Sequence, residues 1–172
     1  MDLIRPNGYG AKALALSHLG KWNEVIKCYD WLIQVNQDDP HNYNGKGKAL
    51  LALEKYNEAM ECFDEAIKIF PGNILFYFSK AIALAKLGDK ASTIIFFDEI
   101  FKRFPDRSAS SSIYYLQGKA MDYLKDYNES IKSFDKAIQI SPDYYKAYRE
   151  KGRVLIHLGQ KKEALNNFDK AI

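Results

Sequence analysis

Leu19-Gly20-Lys21-Trp22-Asn23-Glu24 returns 34 residues later as Leu53-Glu54-Lys55-Tyr56-Asn57-Glu58, and again as Leu124-Lys125-Asp126-Tyr127-Asn128-Glu129. Leu87-Gly88-Asp89-Lys90 and Leu158-Gly159-Gln160-Lys161 are two further copies of its first half. A fixed period of this length is the mark of stacked structural repeats, in which each unit buries its apolar face on its neighbours. Counting outward from the five turns places units at 6–39, 40–73, 74–107, 111–144 and 145–172, with about three extra residues between the third and fourth. The fifth unit stops short, at Ile172.

Inside each unit the spacing specifies two helices. The fourth residue is Tyr (Tyr9, Tyr43, Tyr77, Tyr114, Tyr148), the eighth is Ala or Gly (Ala13, Gly47, Ala81, Gly118, Gly152), and the eleventh is Leu or Met. Spacings of three and four set these on one helical face. The small eighth residue lets the second helix approach closely, while the tyrosine fills the wider end of the hairpin. After the turn, Ala59, Phe63 and Ala66, or later Ala164, Phe168 and Ala171, repeat the same spacing. Pro71, Pro105 and Pro142 close three of these second helices, since proline lacks the donor and clashes with the preceding turn.

The pattern resembles the tetratricopeptide repeat, with its aromatic, Leu, Gly, Tyr, Ala, Phe, Ala and Pro over 34 residues, and the resemblance covers nearly the whole chain. It implies an all-α fold: an α-α superhelix of about five helix-turn-helix units, a right-handed solenoid forming a single domain over residues 1–172. The sequence departs from the family in places. Lys12, Lys46, Lys80, Gln117 and Lys151 stand at the seventh residue, where Leu is usual, and are expected to lay aliphatic stems over the hairpin with their charge in solvent. Gln37 replaces the closing Pro of the first unit, and Thr93 and Ile100 replace Ala in the third, which is therefore expected to be splayed or shifted.

Composition sets the outer limits. The 172 residues are 47% hydrophobic, ample for a continuous core, and 25 basic against 22 acidic residues leave a net charge of +3, without the Lys/Arg block usual in nucleic-acid binders. No window approaches the roughly 18 apolar residues of a membrane span, and no basic-then-apolar leader opens the chain, so a cytoplasmic location is expected. Cys28 and Cys62 lie one period apart. Adjacent helices pack about 8–10 Å apart, beyond the Cα separation of about 7 Å that a disulfide spans, so both are expected as reduced core thiols.

In an array, whatever recurs in every unit builds the scaffold, and whatever binds one partner should break the period. Asp30, Asp64, Asp98, Asp135 and Asp169 recur once per unit and are therefore expected in surface or interhelix polar contacts, not in catalysis. The resemblance implies that first helices line a concave groove with their second, fifth, sixth, ninth, twelfth and thirteenth residues. Those positions hold Leu75, Phe78, Ile82, Tyr115, Leu116 and Tyr123 in units three and four, an apolar, aromatic middle that monomers rarely leave open. The alternative is that the loop Asp106-Arg107-Ser108-Ala109-Ser110, or a displaced helix, covers them. Lys119, Lys146, Arg149 and Arg153 make one end of the groove basic, partly neutralised by Glu150, and suit an acidic or C-terminal peptide.

Other functions find less support in the residues. The chaperone-associated members of the family grip a terminal carboxylate with a Lys, Asn, Asn, Lys, Arg set, which this chain does not reproduce: Gly10 and Leu14, or Asn44 and Lys48, stand at the first-unit places, and Leu75 and Ser79, or Ser112 and Leu116, at the third. Catalysis, metals and cofactors have little support, since His18, His41 and His157 lie in different units and Gly45-Lys46-Gly47-Lys48 lacks the preceding strand and following Ser or Thr of a phosphate loop. Single-stranded RNA, stacked on Tyr115 or Tyr123 beside Lys119, is a weak alternative. Self-association is a stronger one, because Leu165, Phe168, Ala171 and Ile172 form an edge without a capping helix; such an edge belongs to a longer array, packs on another copy, or frays. The expected function is a non-catalytic protein-binding scaffold.

Overall fold

The computed structural model describes the backbone of residues 6–172 and the side chains of residues 8–106 and 109–172. Among the described residues ten helices follow one another: α1 (Pro6–His18), α2 (Trp22–Val35), α3 (Pro40–Ala52), α4 (Tyr56–Ile69), α5 (Ile74–Leu87), α6 (Lys90–Arg103), α7 (Arg107–Tyr123), α8 (Tyr127–Ile140), α9 (Tyr145–His157) and α10 (Lys161–Asp169). The architecture is all-α, with five hairpins in the phase set by the period. The chain divides into two compact units within α5, one up to Ala83 and one from Leu84 to Ile172. In the first unit α1 packs on α2, α2 on α3 and α3 on α4; in the second, α6 packs on α7, α7 on α8, α8 on α9 and α9 on α10.

The five turns share one construction. The fifteenth residue of each unit is left-handed: Gly20 (φ 69°), Glu54 (φ 60°), Gly88 (φ 88°), Lys125 (φ 59°) and Gly159 (φ 76°). The next residue's N–H then donates to the carbonyl of the eleventh: Lys21 to Leu16, Lys55 to Leu50, Asp89 to Leu84, Asp126 to Met121 and Gln160 to Leu155, at 2.9–3.3 Å. This Schellman-type bond satisfies a carbonyl the first helix would leave orphaned, and the leucine or methionine that supplies the carbonyl is buried in every unit. Asp89 and Asp126 also cap the following helix by accepting from Ser92 N (3.0 Å) and Glu129 N (3.3 Å).

Close approach inside the hairpins rests on the eighth residue. A Cβ at Gly47, Gly118 or Gly152 would lie 2.5, 2.6 or 2.7 Å from the ring of Phe63, Phe134 or Phe168. Those rings are the core: Phe63, Phe97 and Phe134 are fully buried, each contributing roughly 1.5–3 kcal/mol of transfer free energy. Phe168, their counterpart in the fifth hairpin, is only half-buried, and α10 runs for 9 residues where the other second helices run for 14.

The fourth hairpin differs from the sequence reading. Residues 107–110, expected as a loop, form the first turn of α7, a helix of 17 residues. The Asp106 carbonyl accepts from Ala109 N and Ser110 N, both at 3.1 Å, and from Ser110 Oγ at 3.0 Å, so the extra residues become a helical turn instead of a flap. In the third hairpin Thr93 and Ile100 are fully buried within an α6 of ordinary length, and Thr93 Oγ1 donates to the Asp89 carbonyl at 2.6 Å. Cys28 is buried and Cys62 half-buried; both are free thiols, and burial pushes the Cys62 thiol up.

Candidate partner-binding surfaces

The recurring charges account for one another. Asp30 Oδ1 meets Lys46 Nζ at 2.7 Å, Asp64 meets Lys80 at 2.7 Å, and Asp135 meets Lys151 at 2.8 Å. Each pair joins the twenty-fifth residue of one hairpin to the seventh of the next, so three of the five recurring aspartates and three of the departing lysines are halves of one kind of seam. The Asp30 carboxylate holds the Lys46 ammonium above its usual value. Sequence reasoning placed both residue types on the scaffold but kept the lysine charges in solvent; the seam corrects that detail.

With the seams set aside, the expected groove residues can be placed. In the first unit Leu75 is 60% exposed and Ile82 half-buried, but Phe78 is 8% exposed. Phe78 was expected to stand open; the unfavourable hydration of a phenyl ring folds it onto protein instead. In the second unit Tyr115, Leu116 and Lys119 are half-buried, Tyr123 is 43% exposed with Lys86 Nζ 4.8 Å from its ring centre, and Lys146, Arg149 and Arg153 are exposed.

The structure brings Tyr115, Lys119, Arg149 and Arg153 together with Glu150, which the sequence reading set beside them, and with Asp122 and Tyr144, which it did not. Glu150, buried, accepts from Arg149 Nη2 through Oε1 at 3.1 Å and from Arg153 Nη2 through Oε2 at 3.0 Å, while Arg153 Nη2 also reaches Asp122 Oδ2 at 2.8 Å. Tyr144 packs on Tyr115 with ring centres 5.3 Å apart, and Lys119 Nζ lies 5.9 Å from the Tyr115 ring. Burial, then the Glu150 carboxylate, pushes the Tyr115 phenol up to about 12. Lys146 stands apart, over the Tyr145 ring at 5.8 Å. This cluster is therefore not simply basic: two carboxylates pair with its two arginines. Asp122 and Glu150 occupy the twelfth and sixth places of their units, the signal that could have found them.

A second concavity was not foreseen. In the first unit a hollow of ≈ 330 Å³ opens between α1, α2 and α3, lined by Leu14, Trp22, Val25, Tyr29, Gly45 and Lys48 among others. It depends on Gly45, where a Cβ would come 2.3 Å from the Tyr29 ring. Leu14 at its rim is 60% exposed. Among the described residues no cluster of three or more His, Cys, Asp or Glu could hold a metal ion, and no helix is long and apolar enough to cross a membrane.

Comparison with known proteins agrees with the fold. Residues 43–73 and 111–144 each match a family model of the tetratricopeptide repeat. No curated protein sequence matches the chain. Among solved structures, MamA from Desulfovibrio magneticus RS-1 is 22% identical with a TM-score of 0.65, covering 96% of this chain and 92% of that one. YrrB, a TPR protein with an unusual peptide-binding site, is 19% identical with a TM-score of 0.56, covering 95% and 83%. The second and fourth hairpins are therefore tetratricopeptide repeats, and the fold is shared with tetratricopeptide-repeat structures along nearly the whole length.

Proposed function

We propose that this chain is a non-catalytic scaffold that binds a peptide or helix of a partner protein, with α7 and α9 recognising the partner's acidic groups. The observation that carries the reading is the pair Arg149 and Arg153: both side chains remain more than half exposed while Glu150 and Asp122, almost buried, hold their guanidinium groups from below. An arginine fixed in this way has lost much of its rotamer freedom before binding, and its remaining N–H donors suit a carboxylate fork. Tyr115 and Tyr123 supply aromatic surface beside them. The peptide-binding site of YrrB, a protein of the same fold, supports the class of ligand.

Selection from an unbiased displayed peptide library against the 172-residue chain tests this. Acidic peptides should be enriched, and Arg149→Ala should weaken their binding about 10-fold, the scale of a charge-assisted hydrogen bond. Enrichment without acidic character, or equal affinity for the variant, would refute it. A steep fall of affinity with salt on a single-stranded RNA oligomer, with no peptide enriched, would point to nucleic acid instead. A second reading, association through the edge of α10, has its own observation: Leu165 is 62% exposed and Ile172 fully so.

A further inference from the structure

The three Asp–Lys seams define what an occupied hairpin edge looks like. In each, the second helix meets the seventh and tenth residues of the following first helix, joined by the sixth in the first seam and by the third in the last. Ala49 lies in the cluster of Val25 and Cys28, Ala83 in that of Ala59 and Phe63, and Ala147 and Val154 in that of Phe134 and Ala137. Gly45 lies over the Tyr29 ring. Residues at the tenth position are accordingly buried: Ala49, Ala83, Ala120 and Val154 are at most 1% exposed.

Helices α1 and α10 carry the same parts without their counterparts. On α1 the equivalent places are Gly8, Ala11, Lys12 and Ala15, and all four are exposed. Ala15 thus lies open where Ala49 and Ala83, at the same place in their units, are covered. On α10, Leu165 corresponds to Ile26 and Met60, which pack against the cluster around Leu50, Ala59 and Phe63, yet Leu165 is 62% exposed. Asp169 corresponds to Asp30, Asp64 and Asp135 and lines an open hollow of ≈ 500 Å³ with Leu165 and Asn166. One helix offers the aspartate half of a seam with large apolar residues, and the other offers the lysine half with small ones.

We infer that the outer face of α10 docks the α1 face of a second copy of this chain, continuing the seam head to tail with Asp169 paired to Lys12 of that copy. The inference rests on the assembly reading above and names its surfaces. The contact is heterologous, using two different faces, so it does not stop at a dimer by symmetry. The charges give register: like charges in the same place disfavour the contact strongly, whereas the apolar residues supply area without direction.

Sedimentation velocity over a concentration series tests it, with circular dichroism confirming unchanged helix content, since both charges are exposed and away from the core. The unaltered chain should gain mass with concentration. Lys12→Asp and Asp169→Lys should each weaken association about 10-fold or more by placing like charges across the seam. An equimolar mixture of the two should associate again, because each variant then presents the complement of the other. A chain that stays monomeric at its highest attainable concentration overturns the inference together with the assembly reading. Association that neither substitution weakens, or that the mixture does not restore, overturns this pairing and leaves the assembly reading to another face.

Discussion

Two kinds of seam divide the molecule. From α2 to α3, from α4 to α5 and from α8 to α9 the hairpins are joined by the same aspartate and lysine, sixteen residues apart in sequence and 2.7–2.8 Å apart in space. From α6 to α7 the pair is gone: Gln117 stands in the lysine's place, three residues are added, and Asp98 is exposed. Other contacts take over there. Lys90 reaches Asp126 at 2.6 Å, and the fourth hairpin is tied within itself by Ser130 Oγ donating to the Gly118 carbonyl at 2.7 Å and by Ser133 Oγ donating to Gln117 at 3.3 Å. The lesson is that the repeat is a mechanical device and its interruption is where other chemistry enters: the residues that gather Tyr115, Arg149 and Arg153 belong to hairpins at and after the break.

The largest expected effect asks whether the altered hairpin is packed as tightly as a regular one. Ala at Gly118 would put Cβ 2.6 Å from the Phe134 ring, as Ala at Gly47 would against Phe63 at 2.5 Å, and both should lose about 1–3 kcal/mol in urea unfolding. Gly10→Ala, which meets nothing within 4 Å in a helix, should gain roughly 0.5–1 kcal/mol. If Gly118→Ala is tolerated while Gly47→Ala is not, the fourth hairpin is looser than its geometry states, and the contrast between seams extends into the core.

A smaller effect concerns the substitute pair. The hydrogen bond from Lys90 lowers the Asp126 carboxyl below its ordinary value. A depressed carboxyl contributes stability that is complete above the unfolded value of about 3.9 and is lost as pH falls through the lower folded value. Asp126→Asn should therefore flatten the acid limb of a stability–pH curve below about pH 4, and Lys90→Met should do much the same. An unchanged acid limb in both would mean that the replaced seam is held by apolar packing alone.

Hairpin phase was legible in the sequence, because the same turn hydrogen bond recurs five times in step with the repeat and a small residue stands at the eighth place of every unit. The left-handed Glu54 and Lys125 were harder to see, since neither is glycine and only their place in the period marks them. The aspartates and lysines were each recognised as scaffold, but their pairing joins different units, and a separation of sixteen residues is no helical spacing. The burial of Phe78 depends on three-dimensional neighbours that a position within a repeat does not specify, whereas Asp122 and Glu150 stand at places in the repeat that could have marked them. The hollow at Gly45 escaped for a similar reason: a glycine at a groove position reads as an absence until the Tyr29 ring is seen filling its place.

The separation of scaffold from binding surface is tested most directly by measuring unfolding free energy and peptide affinity together on two variants. One carries Asp30→Asn with Asp64→Asn, which opens two regular seams; the other carries Arg149→Ala, which leaves Arg153 to pair Glu150. The first should lose up to about 1 kcal/mol for each partly exposed pair and bind the selected peptide unchanged, whereas the second should keep its stability within about 0.5 kcal/mol and lose binding. Loss of binding in the seam variant with full binding in Arg149→Ala would contradict the division on which the functional reading stands.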